Sequence, residues 1–424
     1  MSASQGWAGP DPAQLRLPPA DVIESTVELC GRLKEELVAY ARQPRFSKQY
    51  NAALSNAVGP DGLLDRGAAI NAIDALILQR KQPDGTTIVR RFADQRHPAF
   101  SEQEKATLRG WQGVVEGYFE VRERVDGGLL LHNLLDDLLY PTWGTSHPDA
   151  LKPMKPSTFV VSRVVPAHTD FDMWVFSGPQ ATYGRKDAPA LVQAAAQTVL
   201  TDPRVIRRNT ELMAMAWQRQ AEEREAFIDF AGTDLVVGPP QTVQALLVDF
   251  YKLRQPSVPA TTSYGQPVPG PEDLAAFSEE ILASDSVAVV YDEAEGIHYF
   301  NEFARAVEPF TIPAEKLTPE RLRTLRGYLS ADSIPPFLFR RLAADYHDSV
   351  DRVFAKLLGK KGFRWDRDGE AMLARKKPMY LDHEPTPSIT VLPTRLVELR
   401  KASVGSRGLS WLNGPGRRSQ RGRA

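Results

Sequence analysis

The feature that most constrains this chain is a change in the spacing of its apolar residues just after Trp111. Upstream they recur every three or four positions. From residue 117 to 125 they alternate, the turn residues Asp126, Gly127 and Gly128 follow, and a second apolar run covers 129–132. Alternation of period two puts side chains on opposite faces of a strand, and an Asp-Gly pair between two such runs is hairpin chemistry. A lone hairpin is marginal in water and needs further strands. Residues 159–165 and 173–176 supply them, with loops over 141–156 and 166–172. Four or five short antiparallel strands within about 70 residues are expected to curl into a small barrel, which removes their open edges.

Helical patterns flank this module. Ile23, Val27 and Cys30, widened by Leu29, Leu33 and Leu37, place an amphipathic helix over 22–40. Ile70, Ile73, Leu76 and Ile77 share the face of a second helix, ended by the turn at 83–85, with a short run at 87–91 after it. Asn209 is a suitable N-cap for a helix over 210–230, and Pro239-Pro240 opens another. Five prolines between residues 255 and 271, with no apolar period, read as a linker. Beyond it, 286–291 reads as a strand, Glu295-Gly296 as a turn and 297–300 as a second strand. Thr318-Pro319 reads as a helix start, and Val350, Val353, Phe354, Leu357 and Leu358 form a helical stripe.

The expected fold class is therefore α+β. It comprises a flexible tail (1–20), an N-terminal helical region (21–105), the small barrel-like module (106–183), a helical region (186–254), the Pro-rich linker (255–271), a C-terminal α+β domain (272–395) and a disordered basic tail (396–424). A length of 424 residues suits two or three cores.

Net charge is −1, which excludes a protein that coats a polyanion over its whole surface, yet the charge is unevenly placed. Residues 272–310 carry ten acids against Arg305, whereas residues 395–424 carry eight bases against Glu398. The single cysteine, Cys30, falls in an apolar helical pattern and reads as a small buried hydrophobe. There is no signal-peptide pattern at the start and no apolar run of spanning length, so no membrane association and a cytoplasmic location are expected.

The segments Phe100-Ser-Glu-Gln-Glu-Lys-Ala-Thr-Leu-Arg-Gly-Trp111, Gly117-Tyr-Phe-Glu-Val121, Leu134-Leu-Asp-Asp137, Arg163-Val-Val-Pro166 and Trp174-Val-Phe-Ser-Gly178 span roughly a fifth of the chain. Together they resemble a module of uncharacterised bacterial proteins associated with SEC-C zinc-binding motifs. The resemblance implies a barrel-like module that binds another macromolecule. It carries over no metal or catalytic residue, because the zinc motif needs clustered cysteines and this chain has one.

Diagnostic catalytic spacings are missing. No two of the seven histidines lie closer than fifteen positions, no G-x-G-x-x-G follows an expected strand, and there is no G-x-S-x-G elbow. No metal or other cofactor is expected. Two sets of residues remain. Asp285, Asp292, Glu293, Glu295 and His298 gather around an expected strand and turn, as oxygen ligands for Mg²⁺ or an acid–base pair would, or simply as turn residues and a solvated face. Arg340, Arg341, Lys360, Lys361, Arg364 and Trp365, with Arg417, Arg418, Arg421 and Arg423 in the tail, supply the cations and an aromatic ring that phosphates and bases attract. The expected function is a non-enzymatic adaptor that binds nucleic acid or an acidic protein surface. The alternatives are a nuclease-like metal-dependent hydrolase at 285–298 and a protein–protein scaffold.

Overall fold

A computed structural model of the chain describes residues 10–59, 62–82, 84–96, 98–145, 148–254, 270–381 and 383–410, with the backbone alone over 403–410. The described residues divide into two compact units, one of residues 1–213 with 391–424 and one of residues 214–390.

In the first unit, helices α1 (Ala20–Ala41), α2 (Ser47–Ser55), α3 (Arg66–Leu78), α4 (Ile88–Gln95) and α5 (Glu102–Gly110) precede six strands. These are β1 (Val115–Val125), β2 (Gly128–Asn133), β3 (Leu139–Trp143), β4 (Phe159–Pro166), β5 (Trp174–Phe176) and β6 (Ala181–Tyr183). Helix α6 (Ala188–Thr201) follows, and the boundary between units falls within α7 (Thr210–Ala231). The residues at 87–91, left unassigned by their pattern, open α4, where the Thr87 hydroxyl accepts the Arg90 N–H at 3.3 Å.

Five strands close on themselves in the order β1-β2-β3-β5-β4 and back to β1, with β6 added to β4. Every pairing is antiparallel except β3 with β5. This is the strand order of the OB-fold Greek-key barrel. Closure depends on β1, which pairs with β4 over its first half and with β2 over its second, and shifts register between Val121 and Glu123. An extra residue there bends the strand and raises its twist. Two glycines let backbones come close. A Cβ on Gly117 would stand 2.4 Å from Asn133 Oδ1, and one on Gly128 would stand 2.8 Å from Trp143 Nε1, which instead donates to the Asp126 carbonyl at 2.8 Å.

Alternation then sorts the side chains. Phe119, Val121, Leu129, Leu131, Tyr140, Val160 and Trp174 fill the barrel. Trp143, Val165 and Val175 point outward and join Leu33, Leu37, Ile77, Phe92 and Leu108 in a core shared with the helices. Strand β2 is consequently buried along its whole length.

The second unit centres on a three-stranded antiparallel sheet, β7 (Leu235–Gly238), β8 (Val287–Asp292) and β9 (Gly296–Asn301), in that order. The middle strand is buried on both faces. Val287, Val289 and Tyr291 pack with Phe227 of α7 and with Val243, Leu247 and Phe250 of α8 (Pro240–Arg254). Ala288 and Val290 pack with α11 (Phe303–Thr311), α12 (Arg323–Ser330), α13 (Pro336–Asp345), α14 (Val350–Leu358) and α15 (Trp365–Lys376). The short α9 (Pro271–Leu274) and α10 (Glu279–Leu282) lie between α8 and β8 in sequence.

Three expectations are corrected. The region 186–254 is not wholly helical, because it contains β7, whose Leu-Val-Val core is too short to show a period. The helix expected from Thr318 begins only at Arg323, after a turn. Residues 396–410, assigned to the tail, belong to α16 (Thr394–Ser410), in which Leu396 is buried. Residues 411–424 and the linker residues 255–269 lie outside the described residues. Among the described residues, no helix is long and apolar enough to cross a membrane.

Phe119 has no exposed surface and meets Tyr140 edge-on at 5.8 Å. Phe119→Ala is expected to lower stability by about 3–5 kcal/mol in urea unfolding followed by near-UV circular dichroism. Unchanged stability would contradict a barrel packed around this ring.

Candidate functional site

The residues facing outward on β1, β2 and β3 form the floor of a groove. Because Phe119, Leu129 and Leu131 turn inward, Glu120, Leu130 and His132 turn outward; Arg122 and Glu123, at the register shift, line the cavity with Leu130, His132 and Leu139. Pro10 and Pro12 form one wall and the first turns of α16 the other, around a cavity of about 350 Å³.

Two buried carboxylates fasten α16 to this floor. Asp137 has no exposed surface and a left-handed backbone (φ 58°), a conformation Asp tolerates better than most residues. It accepts the backbone N–H groups of Thr394 at 2.8 Å and Arg395 at 3.3 Å. Those N–H groups have no partner inside the helix, and a negative charge at this end also favours the helix dipole. The same carboxylate holds His132 Nε2 at 2.8 Å. Glu120 accepts two bonds from the Arg395 guanidinium, at 2.7 and 2.9 Å, and lies 3.3 Å from Arg122. Burial pushes the Glu120 carboxyl up, but the Arg395 hydrogen bonds and charge, with Arg122 and His132, hold it below the usual range.

A third carboxylate, Asp136, lies in the same turn and faces a different cavity. Burial raises it to about 6, against the Tyr140 hydroxyl, the Leu138 N–H, Asn133 and the Arg208 charge, all of which favour the anion. Asn209 closes the arrangement. Its amide donates to the Asp136 carbonyl at 2.8 Å, and its oxygen caps α7 through the N–H groups of Glu211 and Leu212.

The chain matches no family model, no curated protein and no solved structure.

Among the described residues, Thr394 is the one hydroxyl side chain that lines the cavity, where His132 is held by Asp137 and Glu120 is held by Arg395. A second polar cluster in this unit joins Lys34, Asp74 and Ser177. Lys34 Nζ donates to Asp74 at 2.7 Å and to Ser177 Oγ at 2.9 Å, while Ser177 donates to Asp74 at 2.8 Å.

The acidic residues expected near 285–298 do not converge. Asp285 pairs with Arg305. Asp292 accepts the N–H groups of Ala294 and Glu295 at 2.9 Å, as a turn residue does. Glu293 contributes its backbone carbonyl to Gln220, and the Glu295 carboxylate meets His383 at 3.1 Å. His298 lies against Phe337 and donates Nε2–H to the Glu295 carbonyl at 3.1 Å, and its burial lowers the imidazole below its ordinary value. Among the described residues, no three His, Cys, Asp or Glu side chains are grouped as a metal requires.

The basic set is likewise dispersed into pairs. Arg340 is bidentate to Glu370 at 2.8 Å, Arg341 is held by Asp234 at 2.8 and 3.0 Å, Lys360 meets Asp368 at 3.1 Å and Arg364 meets Asp366 at 3.2 Å. Lys361 is exposed. Trp365 packs on Phe354 at 5.1 Å and under Gly369, so its ring faces are not open for stacking. Arg417, Arg418, Arg421 and Arg423 lie outside the described residues.

The groove residues Glu120, His132, Asp137 and Arg395 were missed as a set. Their one signal in the sequence is that Glu120 and His132 alternate with the apolar residues of the expected hairpin; Asp137 and Arg395 carry none.

Two measurements bear on these carboxylates. Asp137→Asn keeps the shape but loses the charge. It is expected to cost about 1–2 kcal/mol and to speed amide hydrogen exchange over 394–402 selectively. For Asp136 the folded pKa of about 6 lies above the unfolded value, so the folded state binds the extra proton between them and stability falls as pH rises through that window. The wild-type chain should lose about 3 kcal/mol from this group between pH 4 and 7, and Asp136→Asn should lack that part of the pH dependence.

Proposed function

We propose that this chain is a non-enzymatic adaptor that binds nucleic acid through an arginine-rich C-terminal segment carried by the barrel unit. The observation that supports it most is the charge of residues 400–424, which hold seven Arg or Lys and no acid. That run begins inside α16, the helix fastened by Asp137 and Glu120 to the outer face of the barrel. Neutralising phosphates with arginines releases condensed counterions, which drives binding without a shaped pocket. In barrels of this strand order, the face of strands 2 and 3 serves ligand binding, and the segment starts beside that face. Fold alone does not decide function, so the weight rests on the charge. The resemblance of residues 100–178 to a macromolecule-binding module agrees with it.

Fluorescence anisotropy with a labelled oligonucleotide tests this reading. Replacing Arg417, Arg418, Arg421 and Arg423 by Gln leaves α16 intact. It is expected to weaken binding at least tenfold at 0.15 M salt and to flatten the dependence of log K on log salt by about 0.7 for each lost phosphate contact on a single strand. Equal affinity and slope for the two proteins would remove the segment from the function. Binding to an acidic protein with none to nucleic acid would favour the scaffold reading instead.

A further inference from the structure

A second cavity of the barrel unit, of about 340 Å³, lies where the start of β1 faces the segment between α6 and α7. Its wall includes Arg204, Arg207 and Arg208, together with Glu116, Asp136 and Asp202. The formal charges balance, but the acids are not equally available. Asp202 is bound by Arg204 at 2.7 Å, and Glu116 is held at 2.8 and 3.1 Å by Arg163, which does not line the cavity. Asp136 is buried beneath the Tyr140 hydroxyl and the Leu138 N–H.

That leaves two guanidinium groups facing the same space. Arg207 is exposed; its charge reaches Asp202, and no hydrogen bond or ion pair of its side chain is among the described contacts. Arg208 lies over the Trp174 ring at 5.0 Å, gives one N–H to the Gly113 carbonyl at 3.3 Å and also reaches the Tyr140 hydroxyl. An arginine stacked on an aromatic face loses little further freedom when the rest of its fork binds an oxyanion. With Asp202 cancelled by Arg204, Glu116 by Arg163 and Asp136 by one arginine, one positive charge is left over, the complement of a monoanionic phosphodiester.

We propose that this cavity is a phosphate-binding site in which Arg207 and Arg208 take one phosphodiester of the bound nucleic acid. The inference rests on the function proposed above. It adds a fixed contact on the barrel unit to the contacts of the arginine-rich segment, so the nucleic acid is positioned as well as attracted.

Two measurements on the full chain test it. In the first, arginines are modified with phenylglyoxal, with and without inorganic phosphate, and mapped by mass spectrometry. Phosphate should protect Arg207 and Arg208 and leave the exposed Arg323 unprotected, whereas equal modification with and without phosphate overturns the site. In the second, Arg207→Gln with Arg208→Gln should reduce the salt slope for a single-stranded oligonucleotide by about 0.7–1.4, one or two phosphate contacts. Arg207→Gln alone, which removes no contact of the fold, should give about half that change. An unchanged slope in a protein that still binds overturns the phosphate site and leaves the arginine-rich segment as the interface. Absence of oligonucleotide binding by the unmodified chain overturns the nucleic-acid reading, and the protection experiment then decides the phosphate site by itself.

Discussion

Closure of the barrel is the constraint from which the rest of the first unit follows. A sheet with free edges exposes unpaired backbone groups, and β1 removes both edges by pairing with β2 and β4 along different halves of its length. The register shift at Val121 and Glu123 makes that double pairing geometrically possible. Once the ring is closed, alternation leaves no choice about which residues face in, so the outward row of Glu120, Leu130 and His132 is fixed by the same step that fills the interior.

The treatment of charge differs between the two units. In the second, most arginines and lysines that draw attention in the sequence are matched by nearby carboxylates, at positions exposed enough for each pair to contribute little to stability, about 0–1 kcal/mol. In the first, the two carboxylates that fasten α16 are buried, and each is answered by several donors at once. Asp137 serves a histidine and two helix N–H groups, and Glu120 a forked guanidinium. Such groups fix geometry, since removing any one partner leaves a charge with nowhere to go.

The sequence made the architecture legible wherever a period or a turn was long enough to count. The hairpin at 117–132, the α1 stripe, the Asn209 cap and the buried run of β8 all appear where their patterns placed them. The four residues of β7 carried no period, and the barrel order, with its parallel β3–β5 pair, depends on contacts between segments about 30 residues apart that no local pattern encodes. The groove was less legible still. Glu120, His132 and Asp137 are individually unremarkable acids and a histidine. Arg395 falls at the end of the expected C-terminal α+β domain, although its guanidinium reaches back to a residue 275 positions earlier. Among the residues singled out by charge, Asp292 is a turn acceptor and Trp365 a packed ring, roles that composition cannot distinguish from ligand binding.

The interruption of the first unit by residues 214–390 has a consequence for biosynthesis. A chain emerging from the ribosome can assemble its barrel as soon as residue 183 is free, but the partner of Asp137 is made 257 positions later. Until then, that carboxylate waits beneath an uncovered surface. A chain truncated by premature termination or proteolysis before residue 391 is left with an ion that has lost its counterpart and a row of side chains that has lost its roof, which makes full-length translation itself a condition for a finished first unit.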